Sequence, residues 1–211
     1  MNKKLPQITI SIARGTDRGE VTSDLNSLSV GLGLFLAWFF LALLSTGCIH
    51  AFSEGAPEMF PVPGELVPLL NLAALLACAV FLLVAAFTNQ RLLAFYVSRP
   101  APVAATVLAV AGTALLCVPG GGALGAAVTV GSGVLLGLAG ALALVLWGTA
   151  FAHHSFTTIV LNTVLAIALA LAIAIVLIHW VPAPASYFIV GLLPVGSFHL
   201  LWRSMPAPYY A

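Results

Sequence analysis

Residues Thr129–Leu165, TVGSGVLLGLAGALALVLWGTAFAHHSFTTIVLNTVL, decide the kind of protein this is. Up to Ala152 the stretch has no charged residue. That run exceeds the ~20 residues with which an α-helix crosses a hydrocarbon core of roughly 30 Å. It therefore reads as a membrane span. Within it Gly133, Gly137 and Gly140 recur at helical spacing, so one face of the helix lacks side chains. In lipid such a face lets a neighbouring backbone come into close van der Waals contact. The face serves packing inside this chain, serves a partner helix, or has no special role.

Composition agrees with that reading. Of 211 residues, 62% are hydrophobic and only 6% charged, and the mean hydropathy is +1.14. A soluble domain needs a far more charged exterior. The chain reads as an all-α membrane protein, a bundle of six transmembrane helices with no second domain. The formal net charge is +1 and no basic patch or nucleic-acid motif is present, so direct contact with nucleic acid is not expected.

Residues 1–27 are polar, and three acids precede the first apolar run. A cleavable signal peptide has its apolar region close behind a basic start, so the first span is expected to be retained. The alternation Ile8, Ile10, Ile12 could mark a short strand, but a mobile tail is the plainer reading. The spans are expected at about 28–52, 66–87, 102–118, the glycine-striped run ending near Ala152, 156–179 and 186–202. Residues 28–202 form the membrane domain and 203–211 a C-terminal tail. Trp38, Phe39 and Phe40 lie near mid-depth of the first span, where aromatics pack between helices. The segment TNQRLLAFYVSRPAP after span two reads as a topogenic loop, or as a segment lying in the interface with Arg91 and Arg99 toward anionic headgroups. Pro119–Gly122, PGGG, makes a tight turn. In span six Pro194, between Gly191 and Gly196, predicts a kinked hinge, because proline removes a backbone hydrogen bond.

Charge checks the span count independently. With six spans, Lys3, Lys4, Arg14, Arg18, Arg91, Arg99 and Arg203 all fall on one side of the membrane. The positive-inside rule makes that side cytoplasmic, which places both termini there and the protein in the cell's inner membrane as a multi-pass protein.

Little in the sequence points to chemistry. His50 and His179 sit at the outer span ends, His153, His154 and His199 at the inner ends, where an interfacial histidine stays hydrated. Haem and metal ligation are not expected, and no cofactor is inferred. His153 and His154 would change charge over about pH 5 to 8, so the pair is either a pH sensor or a polar turn. Cys48, Cys78 and Cys117 lie in or at the ends of apolar runs and read as small hydrophobes rather than a disulfide. The span cores hold no Asp, Glu, Lys or Arg, residues that mark ion and proton pathways in pumps. The intramembrane amides Asn71 and Asn162 are expected to hydrogen-bond to neighbouring helices, with substrate binding as the alternative. No base, nucleophile and oxyanion donor can be assembled, so an enzyme is not expected.

The runs GVLLGLAGALALVLWGTAFA, VLNTVLAIALALAIAIVL and SVGLGLFLAWFFLAL resemble the membrane portion of LuxR-type regulators of Coriobacteriia. That resemblance implies half of a major-facilitator-like bundle, in a family whose membrane helices precede a DNA-binding helix-turn-helix. After Trp202 this sequence has only RSMPAPYYA, so no DNA-contacting residue carries over. The segment TNQRLLAFYVSRP also lacks the Gly, Asp and Gly-Arg pattern of facilitator transporters. The expected function is a non-enzymatic sensory or signalling membrane domain, with a small-molecule transporter subunit or half-transporter as the alternative. Its expected partners are the lipid bilayer and either a second copy or a second transmembrane bundle, with the small-molecule ligand unassigned.

Overall fold

A computed structural model describes residues 9–11, 22–24, 27–44, 60–87, 100–118, 122–152, 154–182 and 185–204. The loop carrying Arg91 and Arg99, both chain ends, Cys48, His50 and His153 lie outside the described residues. Ahead of the bundle β1 (Thr9–Ser11) pairs antiparallel with β2 (Thr22–Asp24), Ile10 opposite Ser23. The middle of the isoleucine alternation is thus a short strand rather than only a tail.

Helices make up most of the other described residues. They are α1 (Ser27–Phe39), continued by a π-helical turn Phe40–Leu44, then α2 (Val67–Phe87), α3 (Pro100–Leu116), α4 (Gly122–Phe151), α5 (Phe156–Trp180) and α6 (Ala185–Ser204). Their ends follow local chemistry. Pro63 precedes a short 3-10 turn, Gly64–Leu66, that leads into α2, and Pro68 in the first turn of α2 forfeits only an N–H that has no helical partner. Gly122 opens α4 at φ 64°, a conformation that costs a residue with a Cβ. Ser155 caps α5 by accepting from the Thr158 N–H at 3.4 Å. Val181 is extended (φ −106°, ψ 115°) ahead of Pro182 and ends α5.

Four of these helical segments are long and apolar enough to cross a membrane: Gly64–Phe87, Gly122–Phe151, Phe156–Trp180 and Ala185–Arg203. The segments Ser27–Leu43 and Pro100–Leu116 are apolar but shorter. Six spans are expected from the sequence; among the described residues there are six α-helices, and four helical segments are of full span length. The outer surface is that of a membrane protein. Leu75 is 69% exposed, Phe87 85%, Phe156 82% and Trp180 75%, side chains that water would drive inward and lipid does not.

Packing follows a definite order. α2 lies on α4, α4 on α3, α3 on α6, α6 on α1, and α1 on α5. A lighter contact between α1 and α4 closes the inner helices α1, α3, α4 and α6 into a core. α2 and α5 are left as wings on opposite flanks, each held mainly by one core helix.

Contacts also give directions. Gly33 of α1 faces Ala166 and Leu169 of α5, while Leu36 and Phe40 share a groove with Ile167 and Leu171, so these helices run parallel. Gly133 lies by Leu70 and Gly137 by Ala74, making α2 and α4 parallel. Gly31 faces Trp147 and Gly140 faces Phe39, making α1 and α4 antiparallel. α6 opposes α1, since Gly31 meets Leu200 and Gly196 meets Leu34. The short connection between α3 and α4 forces an antiparallel pair. Direction therefore alternates from helix to helix along the chain.

Candidate functional site

The structure shows what the glycine face on α4 packs against. A Cβ at Gly133 would stand 2.6 Å from the Leu70 carbonyl oxygen and 2.9 Å from the Ala73 Cβ. One at Gly137 would press on the Ala74 backbone, and one at Gly140 would meet the Phe39 ring at 3.2 Å. α2 and Phe39 of α1 take up this face within the chain. The matching seam on the other wing is reversed. There Ala166, Ala170 and Ala174 of α5 are buried, and Gly33 of α1 lies against the Ala166 carbonyl and Leu169.

The polar side chains inside the core tie its helices together. Trp38 Nε1 of α1 donates to Thr113 Oγ1 of α3 at 3.0 Å, and that hydroxyl donates to the Ala109 carbonyl at 2.8 Å. Ser132 of α4 donates to the Gly112 carbonyl of α3 at 2.8 Å. Ser197 of α6 donates to the Gly31 carbonyl of α1 at 2.7 Å. All four side chains are buried, so each bond lies where lipid and water cannot compete for it. Sequence reasoning placed Trp38 in the core but missed Thr113, Ser132 and Ser197. The available signal was a hydroxyl in an apolar helix, which must find a carbonyl, its own i−4 or a neighbour's.

The two amides behave differently from the expectation. Asn162 is buried, and its Nδ2 donates to the Thr158 carbonyl of its own helix at 2.9 Å rather than across to a neighbour. The i−4 carbonyl is the acceptor nearest to a helical amide. Its Oδ1 is buried without a hydrogen bond, as is Trp147 Nε1. Asn71 is half-buried, one turn into α2.

His154 is exposed in the turn between α4 and α5, with its ring edge-on to Phe151 at 6.4 Å. Around Pro194, which is buried inside α6, the chain remains helical; Gly191 faces open space and Gly196 lies near Leu34. The Cys117 thiol donates to the Thr113 carbonyl at 3.5 Å. Among the described residues no three His, Cys, Asp or Glu side chains converge.

Two apolar grooves run along the wings. One, of about 520 Å³, lies between α2 and α4 and is walled by Leu72, Leu76, Val80, Val130, Val134 and Leu138. The other, of about 180 Å³, lies between α1 and α5 and is walled by Leu36, Phe39, Phe40, Ile167, Ala170 and Leu171. Neither wall offers an acid, a base or an amide, so neither can bind a charged solute. Comparison with protein-family models, with curated proteins and with solved structures finds no match, and the functional reading rests on the geometry of the bundle itself.

Proposed function

We propose that this chain is a non-enzymatic sensory or signalling domain of the cell's inner membrane, working through helix contacts. The observation that carries the reading is how the buried polar groups are used. Trp38, Thr113, Ser132 and Ser197 are spent on holding helices together, and the grooves are wholly apolar. The likeness of three of its runs to the membrane portion of LuxR-type regulators gives this reading its direction.

In this proposal all six helices cross the bilayer and both termini are cytoplasmic, as in half of a major-facilitator-like bundle. Three things support it. Directions alternate along the chain. The two shorter segments, Ser27–Leu43 and Pro100–Leu116, sit at the lower end of the ~17–25 residues that suffice for a span. Under that count every Lys and Arg lies on one side. The second reading, a subunit of a small-molecule transporter, is favoured by the two apolar grooves along α2 and α5, which offer an apolar solute a surface.

Two measurements test the proposal together. Membrane topology is read from fluorescent-protein fusions at both ends and alkaline-phosphatase fusions in the segments 45–59, 119–121 and 183–184. Fluorescence at both ends with phosphatase activity at all three insertions is expected; an inactive phosphatase at any of them removes the six-span topology. The tagged chain is then purified from native membranes, and the product of the neighbouring reading frame is sought with it. A co-purifying regulator or second transmembrane bundle is the expected result. Solute flux in proteoliposomes holding this chain would overturn signalling in favour of transport.

A further inference from the structure

The walls of the α2/α4 groove hold no charge, but an acid stands at one end of it. Leu69, Leu72, Leu76 and Val80 form the α2 side of the groove. One turn before Leu69 on the same stripe is Glu65, in the 3-10 turn Gly64–Leu66. A spacing of four residues keeps the two on one face, and it sets Glu65 about 6 Å above Leu69 along the axis. On the α4 side, one turn before Val130, Ala126 and Ala127 present only methyl groups. The mouth of the groove is thus open, with a carboxylate on one lip.

Glu65 is exposed and has no basic partner among the described residues. Where the cations lie explains this. Residues 28–87 and 100–202 contain no Lys or Arg. Lys3, Lys4, Arg14 and Arg18 precede α1, Arg91 and Arg99 fall between α2 and α3, and Arg203 is in the last turn of α6. The helix directions put all those helix ends at the opposite end of the bundle from Glu65.

Shape narrows what such a site would take. From Leu69 to Val80 the α2 stripe is about 16 Å long. The groove holds about 520 Å³, within the range of small-molecule sites. A long apolar slot with an acid at one end fits an extended alkyl chain that carries a cationic head. An anionic lipid headgroup at the same place would meet the carboxylate as a like charge. The α1/α5 groove supplies a contrast, because neither α1 nor α5 contains an Asp or Glu.

We infer that the α2/α4 groove is a binding site for a single-chain amphiphile with a cationic head. The chain lies along Leu72, Leu76 and Val134, and the ammonium group sits against Glu65. Leu72, Leu76 and Val80 are each more than half exposed on the outer surface of the bundle, so the ligand enters from the bilayer without passing through the core. The inference stands on the groove and the charge at its mouth, and does not rest on the signalling reading.

The test uses the full-length chain in phosphatidylcholine nanodiscs. It is photolabelled with dodecyltrimethylammonium carrying a mid-chain diazirine, and the labelled peptides are mapped by mass spectrometry. Dodecyl sulfate with the same diazirine is the anionic control. The cation should label α2 and α4 several-fold more than the anion does, and label α1 and α5 no more than the anion does. Glu65→Gln should lower labelling of α2 and α4 by about fivefold, the most that an exposed ion pair supplies, while Glu65→Asp retains it. Ala77→Phe fills the slot and should abolish the labelling; Val134→Phe fills it from α4 and serves if Ala77→Phe does not fold. Equal labelling by cation and anion, or labelling unmoved by Glu65→Gln, would mean that the groove takes bilayer lipid alone and overturns the inference. Labelling that needs Glu65 but survives both filling variants would place the cation outside the groove, and overturns it as well.

Discussion

How near α2 can come to α4 is set by two missing side chains, at Gly133 and Gly137. At Gly137 a Cβ would be forced into the Ala74 backbone, and a backbone cannot rotate aside as a side chain can. Gly137→Ala should therefore push α2 outward and destabilise the bundle by about 1–3 kcal/mol, the usual range for overpacking. Thermal unfolding in detergent, compared with Gly131→Ala where a Cβ meets open space, reads the difference; equal midpoints for the two variants would remove the close-approach argument. Asn162 predicts the opposite sign. Its Oδ1 is desolvated and unbonded, a cost of about 1–3 kcal/mol for such a group, and its amide bond goes only to its own helix. Asn162→Leu should leave the midpoint unchanged or raise it, because an apolar side chain of similar size removes the unpaired acceptor. A clear loss of stability would mean that Oδ1 has a partner in the membrane, such as a bound water.

At the scale of elements, hydropathy made the helices legible. The runs expected at 66–87, 156–179 and 186–202 correspond to α2 (Val67–Phe87), α5 (Phe156–Trp180) and α6 (Ala185–Ser204). In lipid each spanning segment must satisfy its own backbone, so an apolar run bounded by Pro and Gly leaves helix as the one solution. What hydropathy could not supply is which helix meets which. The Gly133–Gly140 stripe announces a close neighbour without naming it, since a face without side chains fits any small-residue face. Its neighbour is α2, the second helix of the first half, and nothing in VPLLNLAALLACAVF distinguishes that helix from α5. Nor was the π turn at Phe40–Leu44 legible, because it shifts the hydrogen-bond register without requiring Pro or Gly. α4 is a further case. At 30 residues and about 1.5 Å per residue it is about 45 Å long, more than a hydrocarbon core of roughly 30 Å, so it tilts or projects beyond it.

For the whole molecule the consequence of this packing is that neither half holds its own wing. α2 belongs to the first half and docks on α4, while α5 belongs to the second and docks on α1. Released from the other half, α2 would lose the seam formed by Gly133 and Gly137, and α1 would lose Ser197 at the Gly31 carbonyl. α3 and α4 are nevertheless joined in sequence through residues 117–121. Cutting the chain there removes loop closure, which contributes little, and leaves every helix contact available. Expressed alone, either half should be degraded in the membrane; expressed together as separate chains, the halves should associate, resist proteolysis and co-purify. Placing Gly137→Leu on the second half should weaken that association by several-fold, because the larger side chain holds α2 away from α4. Co-purification read by a tag on one half decides the matter: a first half that is stable alone would mean that its helices pack on one another and not across the bundle.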